Sequence, residues 1–282
     1  MTALSSSPHP VVIKLGGSII TRKSEPYRLR PKVLDRLGRE VALGWEQGKR
    51  PIVLLHGAGS FGHPRAKAWG LSRPPPGRAN RERGAALTAY DVRRLHLHVL
   101  RSLLDAGVPA RSVPPFPFLE NEEGKLRSFE VRPFREILAA GGVPVSFGDV
   151  VRDTAWGSSI LSGDTLAVHL ANDLPSRRVL FVSDVPGVLV KGSDGRSTLL
   201  RELEGGVPPS LVPAPDRPDV TGGIRGKVEA MLAIAEGGGR AGLISGLSHG
   251  TLSRAIRGED VHGTWAAPLH PGGNGIAHRA SG

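Results

Sequence analysis

The chain contains no cysteine, which excludes disulfide staples and thiolate chemistry. Aromatic residues are scarce, at 5%, and do not interleave with the basic residues as a platform for stacking bases would require. No apolar run approaches the roughly 20 residues needed to span a bilayer. The stretch from Met1 to Pro10 has neither a basic start nor an apolar core, so it does not read as a secretory signal. These absences lead us to expect a cytoplasmic protein with no membrane partner. Acidic charge is also in deficit, with 26 Asp and Glu against 37 Lys and Arg, giving a net charge of +11. Such a balance suits either a polyanion-binding surface or an enzyme that handles small anions. The basic residues are spread along the chain, with a mild cluster from Arg73 to Arg94, and we expect no nucleic-acid partner.

What is present is an alternation of short apolar runs and amphipathic segments. Val11 to Leu15, Ile52 to Leu55, Val143 to Phe147, Val179 to Ser183 and Ala241 to Ser245 read as strands apolar on both faces. Pro31 to Trp45 has helical spacing, with Val33, Leu34, Leu37 and Val41 on one side. Arg83 to Ala106, Val131 to Ala140, Asp164 to Ala171, Lys227 to Glu236 and Leu252 to Ile256 read as further helices. Phe116 to Phe129 reads as a hairpin turning near Asn121 to Gly124. Strands buried on both faces and alternating with helices imply α/β architecture with a mainly parallel sheet covered on both sides. The 282 residues suffice for one large domain or two closely joined lobes. The tail after Pro268, rich in Gly, Pro and His, is expected to fray.

Three glycine-rich turns carry the chemistry. Lys14-Leu15-Gly16-Gly17-Ser18 ends the first strand, where exposed backbone N–H groups and a lysine can meet a phosphate; a plain turn is the competing reading. His56-Gly57-Ala58-Gly59-Ser60-Phe61-Gly62-His63 matches the spacing of a dinucleotide fingerprint. That reading needs a second strand and an acid about 20 residues on, and the sequence there holds Trp69, Arg73 and three prolines instead. His56 reads as a residue satisfying loop backbone and His63 as one facing a ligand. Asp219-Val220-Thr221-Gly222-Gly223-Ile224-Arg225-Gly226-Lys227 precedes a helix, but Val228 stands where a Walker loop has Ser or Thr. Two acidic elements follow, Ser162-Gly163-Asp164 at a helix start and Ser183-Asp184-Val185-Pro186-Gly187 after a strand. Each has a bland reading, a cap or a β-turn. All five segments nevertheless fall at strand or helix ends, where α/β enzymes build their sites.

In this order the motifs resemble the isopentenyl phosphate kinase family of the amino acid kinase superfamily, over about Val11 to Thr264. The resemblance implies a three-layer αβα sandwich with a mainly parallel open sheet. It implies transfer of the ATP γ-phosphoryl group to isopentenyl phosphate, with Mg2+ held mainly by phosphate oxygens and water and no protein metal ligands. An N-terminal lobe, residues 1–177, would bind the acceptor and a C-terminal lobe, 178–282, the nucleotide. Lys14, Gly16, Gly17 and Ser18 would line the ATP phosphates, Lys23 would stabilise the transition state, and Gly59 would touch the transferring group. Ala58, Gly59, His63 and Gly163 would hold the acceptor phosphate. Asp184, Gly223 and Lys227 would serve the nucleotide, and Asp164 would orient the lysines. A homodimer is implied too. Ala58 departs from the family's usual glycine, and Pro186 from its usual second acid. Fosfomycin kinases share much of the second glycine loop, so a sister kinase of another small phosphate or phosphonate is one alternative, and a non-catalytic anion- or nucleic-acid-binding protein that keeps only the fold is the alternative of another class.

Overall fold

The structure, a computed structural model, describes residues 9–22, 24–48, 50–75, 81–174, 176–212 and 223–268. The tail after Pro268 lies outside them. Val11–Leu15 forms β1, Gly17–Ile20 the single turn α1, Pro31–Gly48 α2, Ile52–His56 β2, Gly59–Ala68 α3 and Arg81–Asp105 α4. Ala110–Ser112 (β3) and the short α5 (Pro115–Phe118) lead to the hairpin of β4 (Leu119–Glu122) and β5 (Lys125–Phe129), then to α6 (Arg132–Ala139). β6 (Val143–Phe147), β7 (Asp149–Asp153), β8 (Gly157–Leu161), α7 (Gly163–Asp173) and β9 (Arg178–Ser183) follow. Two short strands, β10 (Leu189–Lys191) and β11 (Ser197–Leu199), precede α8 (Gly223–Glu236), β12 (Arg240–Ser245), α9 (Thr251–Arg257) and β13 (Gly263–Ala266).

Seven strands form the main sheet in the order β13-β12-β9-β1-β2-β6-β3. All pair in parallel except β13, which runs antiparallel to β12. Successive side chains of one strand enter different cores, because the strand period is two. In β1, Val11, Ile13 and Leu15 pack with Leu37 and Val41 of α2, Val99 of α4 and Ile256 of α9. The intervening Val12 packs on the other face with Leu166 of α7, Met231 of α8 and Phe134 of α6. Helices therefore cover both faces, and the molecule is a three-layer αβα sandwich. A four-stranded sheet, β5-β4-β7-β8, stands beside it.

The sequence reading omitted α3, because Gly59, Gly62 and Pro64 all argue against a helix. Tertiary contacts compensate. Phe61 is buried in the core shared with α2 and α4. Pro64 has no N–H to give the Ser60 carbonyl one turn earlier, and that carbonyl accepts the Tyr27 N–H instead, at 3.2 Å. The β7–β8 hairpin was also missed, since Asp149–Asp153 and Gly157–Leu161 carry little alternation.

Phe181 is fully buried on β9, between β12 and β1. Phe181→Ala should therefore cost about 3–5 kcal/mol, as large core truncations do. Urea unfolding should show a lower midpoint at an unchanged slope; a midpoint within error of wild type would contradict the packing described.

Candidate active site

β9, β1, β2 and β6 are neighbours and parallel, so their carboxyl ends open at one edge of the sheet. The loops that leave them are laced together. Gly16 N–H donates to Val182 O at 2.7 Å, Gly57 N–H to Leu15 O at 2.9 Å, and Gly148 N–H to His56 O at 3.0 Å. The first two glycine turns touch backbone to backbone. A Cβ on Gly17 would lie 2.5 Å from Gly59 Cα, so no other residue fits there without displacing the second loop. Gly59 has φ +51°, a conformation that L side chains rarely adopt. Thr21 locks the contact: its hydroxyl donates to Gly17 O at 2.7 Å and accepts the Ser60 N–H at 3.0 Å.

Behind this contact lies a buried charge cluster. Lys14 Nζ is 2.5 Å from Asp164 Oδ1, and Lys227 Nζ is 3.3 Å from Asp164 Oδ2. Lys14 ends in the interior because β1 is buried throughout. Asp164 is held in the first turn of α7, where the Ser162 hydroxyl accepts its N–H at 3.1 Å. Lys227 folds back within α8 to donate to Gly223 O at 3.2 Å. Burial by itself raises the Asp164 pKa, but the ammonium groups of Lys14 and Lys227 outweigh it and hold the carboxyl below its ordinary range. One carboxylate thus serves two cations, and the cluster keeps a net positive charge. On the other side of the first turn, Ser18 donates to Asp184 Oδ1 at 2.6 Å.

Lys14 and Lys227 of the cluster line a cleft of about 1650 Å³. Lys14, Gly16, Gly17, Ser18, Ala58, Gly59, His63, Gly163 and Lys227, all singled out in the sequence, line it. Asp164 and Asp184 lie behind that lining, on Lys14 and Ser18. Gly223 meets it through Lys227. Lys23 and the stretch Asp219 to Gly222 fall outside the described residues. Motif reading passed over several cleft residues. Arg22, Arg28, Arg30, Lys32, Lys67 and Arg94 add positive charge, and Val92, Ile160 and Leu161 add an apolar wall. The arginines come from stretches without glycine signatures; the overall excess of basic charge hinted at them, as did, for Arg94, the mild basic cluster from Arg73 to Arg94. Among the described residues Asp149 is the one carboxylate on the lining, and it pairs with Arg93 at 3.0 Å. Burial, opposed by Arg93, raises its pKa to about 6.

A cleft of this sign, at the carboxyl ends of parallel strands, suits anionic groups such as phosphates. The amino acid kinase family model matches residues 9–245. The chain belongs to the amino acid kinase family. Within it, the chain is 34% identical to isopentenyl phosphate kinase of Methanothermobacter thermautotrophicus, over 92% of this chain and 100% of that protein. The isopentenyl phosphate kinase of Haloferax volcanii is also 34% identical, over 88% and 99% respectively. An X-ray structure of isopentenyl phosphate kinase superposes with a TM-score of 0.78 at 32% identity, covering 91% of this chain and 100% of that one.

In this member of the amino acid kinase family, the charge cluster has a pH signature. Because the folded pKa of Asp164 is depressed, its contribution to stability is complete above the unfolded carboxyl value of about 3.9. That contribution is lost as pH falls through the lower folded pKa. Asp164→Asn leaves two buried ammonium groups facing each other and should be strongly destabilising at pH 6. Urea midpoints of the two proteins should converge as the pH drops below about 4. A gap that stays constant with pH would show that the carboxylate is not the group responsible.

Proposed function

We propose that the protein transfers the γ-phosphoryl group of ATP to isopentenyl phosphate, giving isopentenyl diphosphate and ADP. The observation that carries this reading is the Lys14–Asp164–Lys227 cluster, whose lysines line a basic cleft. The acceptor is already an anionic oxygen, so no strong base is needed. The obstacle is the approach of two anions, and catalysis is positioning and charge neutralisation. Lys14 and Lys227 present fixed positive charge, and Asp164 keeps their heads in place. An acceptor-phosphate oxygen attacks the γ-phosphorus as its bond to the β,γ-bridging oxygen breaks, and ADP leaves. Lys23, on the family resemblance, would add charge to the transition state.

Residues 1–177 take the acceptor on this reading. Ala58, Gly59, His63 and Gly163 meet its phosphate, and Val92, Ile160 and Leu161 offer an apolar wall to a short branched tail. Residues 178–282 take the nucleotide through Asp184, Gly223 and Lys227, with Gly16, Gly17 and Ser18 under its phosphates. Magnesium, when bound with the nucleotide, would supply neutralisation of phosphate charge. Asp164 is engaged with the lysines, Asp184 accepts from Ser18, and Asp149 on the lining pairs with Arg93. On this reading metal ligands would come mainly from phosphate and water. Among the described residues no helix is long and apolar enough to cross a membrane. The cytoplasm, where ATP is abundant, is the compartment that suits the reaction.

A coupled ATP-turnover assay with isopentenyl phosphate, dimethylallyl phosphate, longer isoprenyl phosphates and fosfomycin tests the assignment. Isopentenyl phosphate should give the highest kcat/KM, and preference for fosfomycin would replace it. His63→Ala should lose about 10- to 150-fold in kcat/KM for isopentenyl phosphate, the value of one to a few kcal/mol from a hydrogen bond to a charged group. The KM for ATP should hardly change; a loss confined to ATP would move His63 out of the acceptor site.

The partner protein we expect is a second copy of the chain. Tyr90, Leu97 and Leu104 stand exposed at seven-residue spacing along α4, at 63%, 65% and 53%. That seam of apolar side chains supports a helix-to-helix contact. Sedimentation should find a dimer that Leu97→Glu dissociates; a monomeric wild type would refute it.

A further inference from the structure

The second glycine turn is tied to the interior by a chain of side chains that phosphoryl transfer does not use. His56 is fully buried at the end of β2, and His96 of α4 is 4% exposed beside it. His56 Nδ1 lies 3.1 Å from Gly57 O. His56 Nε2 lies 3.1 Å from His96 Nδ1, and His96 Nε2 lies 2.8 Å from the Ser112 hydroxyl on β3. Phe147 packs against both rings, with centroids at 5.3 Å and 4.3 Å.

The chemistry of the two ends gives this chain a direction. Gly57 O can only accept, so His56 Nδ1 must carry a hydrogen. A neutral His56 then has a bare Nε2, which needs a donor, so His96 Nδ1 carries the next hydrogen. His96 Nε2 is left bare and accepts the Ser112 O–H. Both rings are neutral in this arrangement. Burial favours that state, pushing His56 down to about 4 with further help from the Lys14 charge, and lowering His96 as well. Arg93 on α4 also disfavours a cation at His96. A trans peptide points its C=O and the following N–H in opposite directions. Fixing Gly57 O inward therefore turns the Ala58 N–H outward, where Ala58 lines the cleft and opens α3.

We propose that His56 and His96 are positioning residues: the directed chain Ser112→His96→His56→Gly57 O holds the Gly57–Ala58 peptide in the orientation that presents its N–H to the acceptor phosphate. This rests on the function proposed above. It differs from a packing role, because hydrogen direction matters and not only volume.

Two measurements decide it. Long-range ¹H–¹⁵N correlation spectra of the wild-type imidazoles should show both rings as the Nδ1–H tautomer, the one disfavoured in water, with no titration between about pH 6 and 8, since burial keeps each ring neutral. An Nε2–H tautomer at His56, or titration of either ring in that window, would overturn the chain. In steady state, His96→Leu should raise the KM for isopentenyl phosphate about tenfold or more, in line with loss of one hydrogen bond, and leave the KM for ATP unchanged. His96→Asn, which keeps a donor near the Nδ1 position, should recover most of that loss. Equal loss in both variants, or equal loss for both substrates, would reduce His96 to packing. A wild type that fails to use isopentenyl phosphate would overturn the function and this proposal together, whereas wild-type turnover with unaltered acceptor kinetics in His96→Leu would overturn this proposal alone.

Discussion

A single buried carboxylate holding two ammonium groups is the constraint on which the rest of this structure turns. Asp164 reaches Lys14 from α7 and Lys227 from α8, so one side chain ties the central strand β1 to helices distant in sequence. Removing charges from water is costly, and a buried pair repays the cost only with close geometry. The 2.5 Å contact to Lys14 meets that condition, and the second lysine leaves a surplus positive charge facing the cleft. On the proposed function, an anionic substrate group would complete the neutralisation, so that stability and ligand affinity would meet in one pre-organised cluster.

Close backbone contact is the second requirement. Gly17 and Gly59 pack so tightly that neither tolerates a Cβ in its present place. The turns meet because β1 and β2 are paired in register, Leu15 opposite His56, so their ends reach the same level. Thr21 closes the arrangement with one hydroxyl used as both donor and acceptor. The start of α3 is thereby set against the first turn, and Arg22, Arg28, Arg30 and Lys32, which follow that turn, line the same cleft.

Much of the fold was legible because its strands are buried on both faces. Val11–Leu15 and Val143–Phe147 are short runs dominated by apolar residues, interrupted by Lys14 and Ser146, and they form strands with those limits. The alternating cores that cover them make helices on both sides obligatory. Segments whose stability comes from neighbours were not legible. In α3 a proline and two glycines are tolerated because Phe61 is buried and Tyr27 takes the spare carbonyl. In β7 and β8 the pairing with each other and with β4 supplies what side-chain alternation does not.

The same division runs through the candidate site. Sequence alone determined which residue types were available at strand and helix ends: glycines that open the backbone, lysines beside them, and acids at Asp164 and Asp184. These are local properties, fixed by the chain's own spacing. Tertiary structure alone decided that Lys14 and Lys227, 213 positions apart by their numbers, share one carboxylate. It also decided that His56 meets His96 and that arginines from motif-free stretches line one cleft. The physical reason is that electrostatic and hydrogen-bond partners are chosen by distance in space, and the parallel sheet brings its strand ends together whatever their separation along the chain.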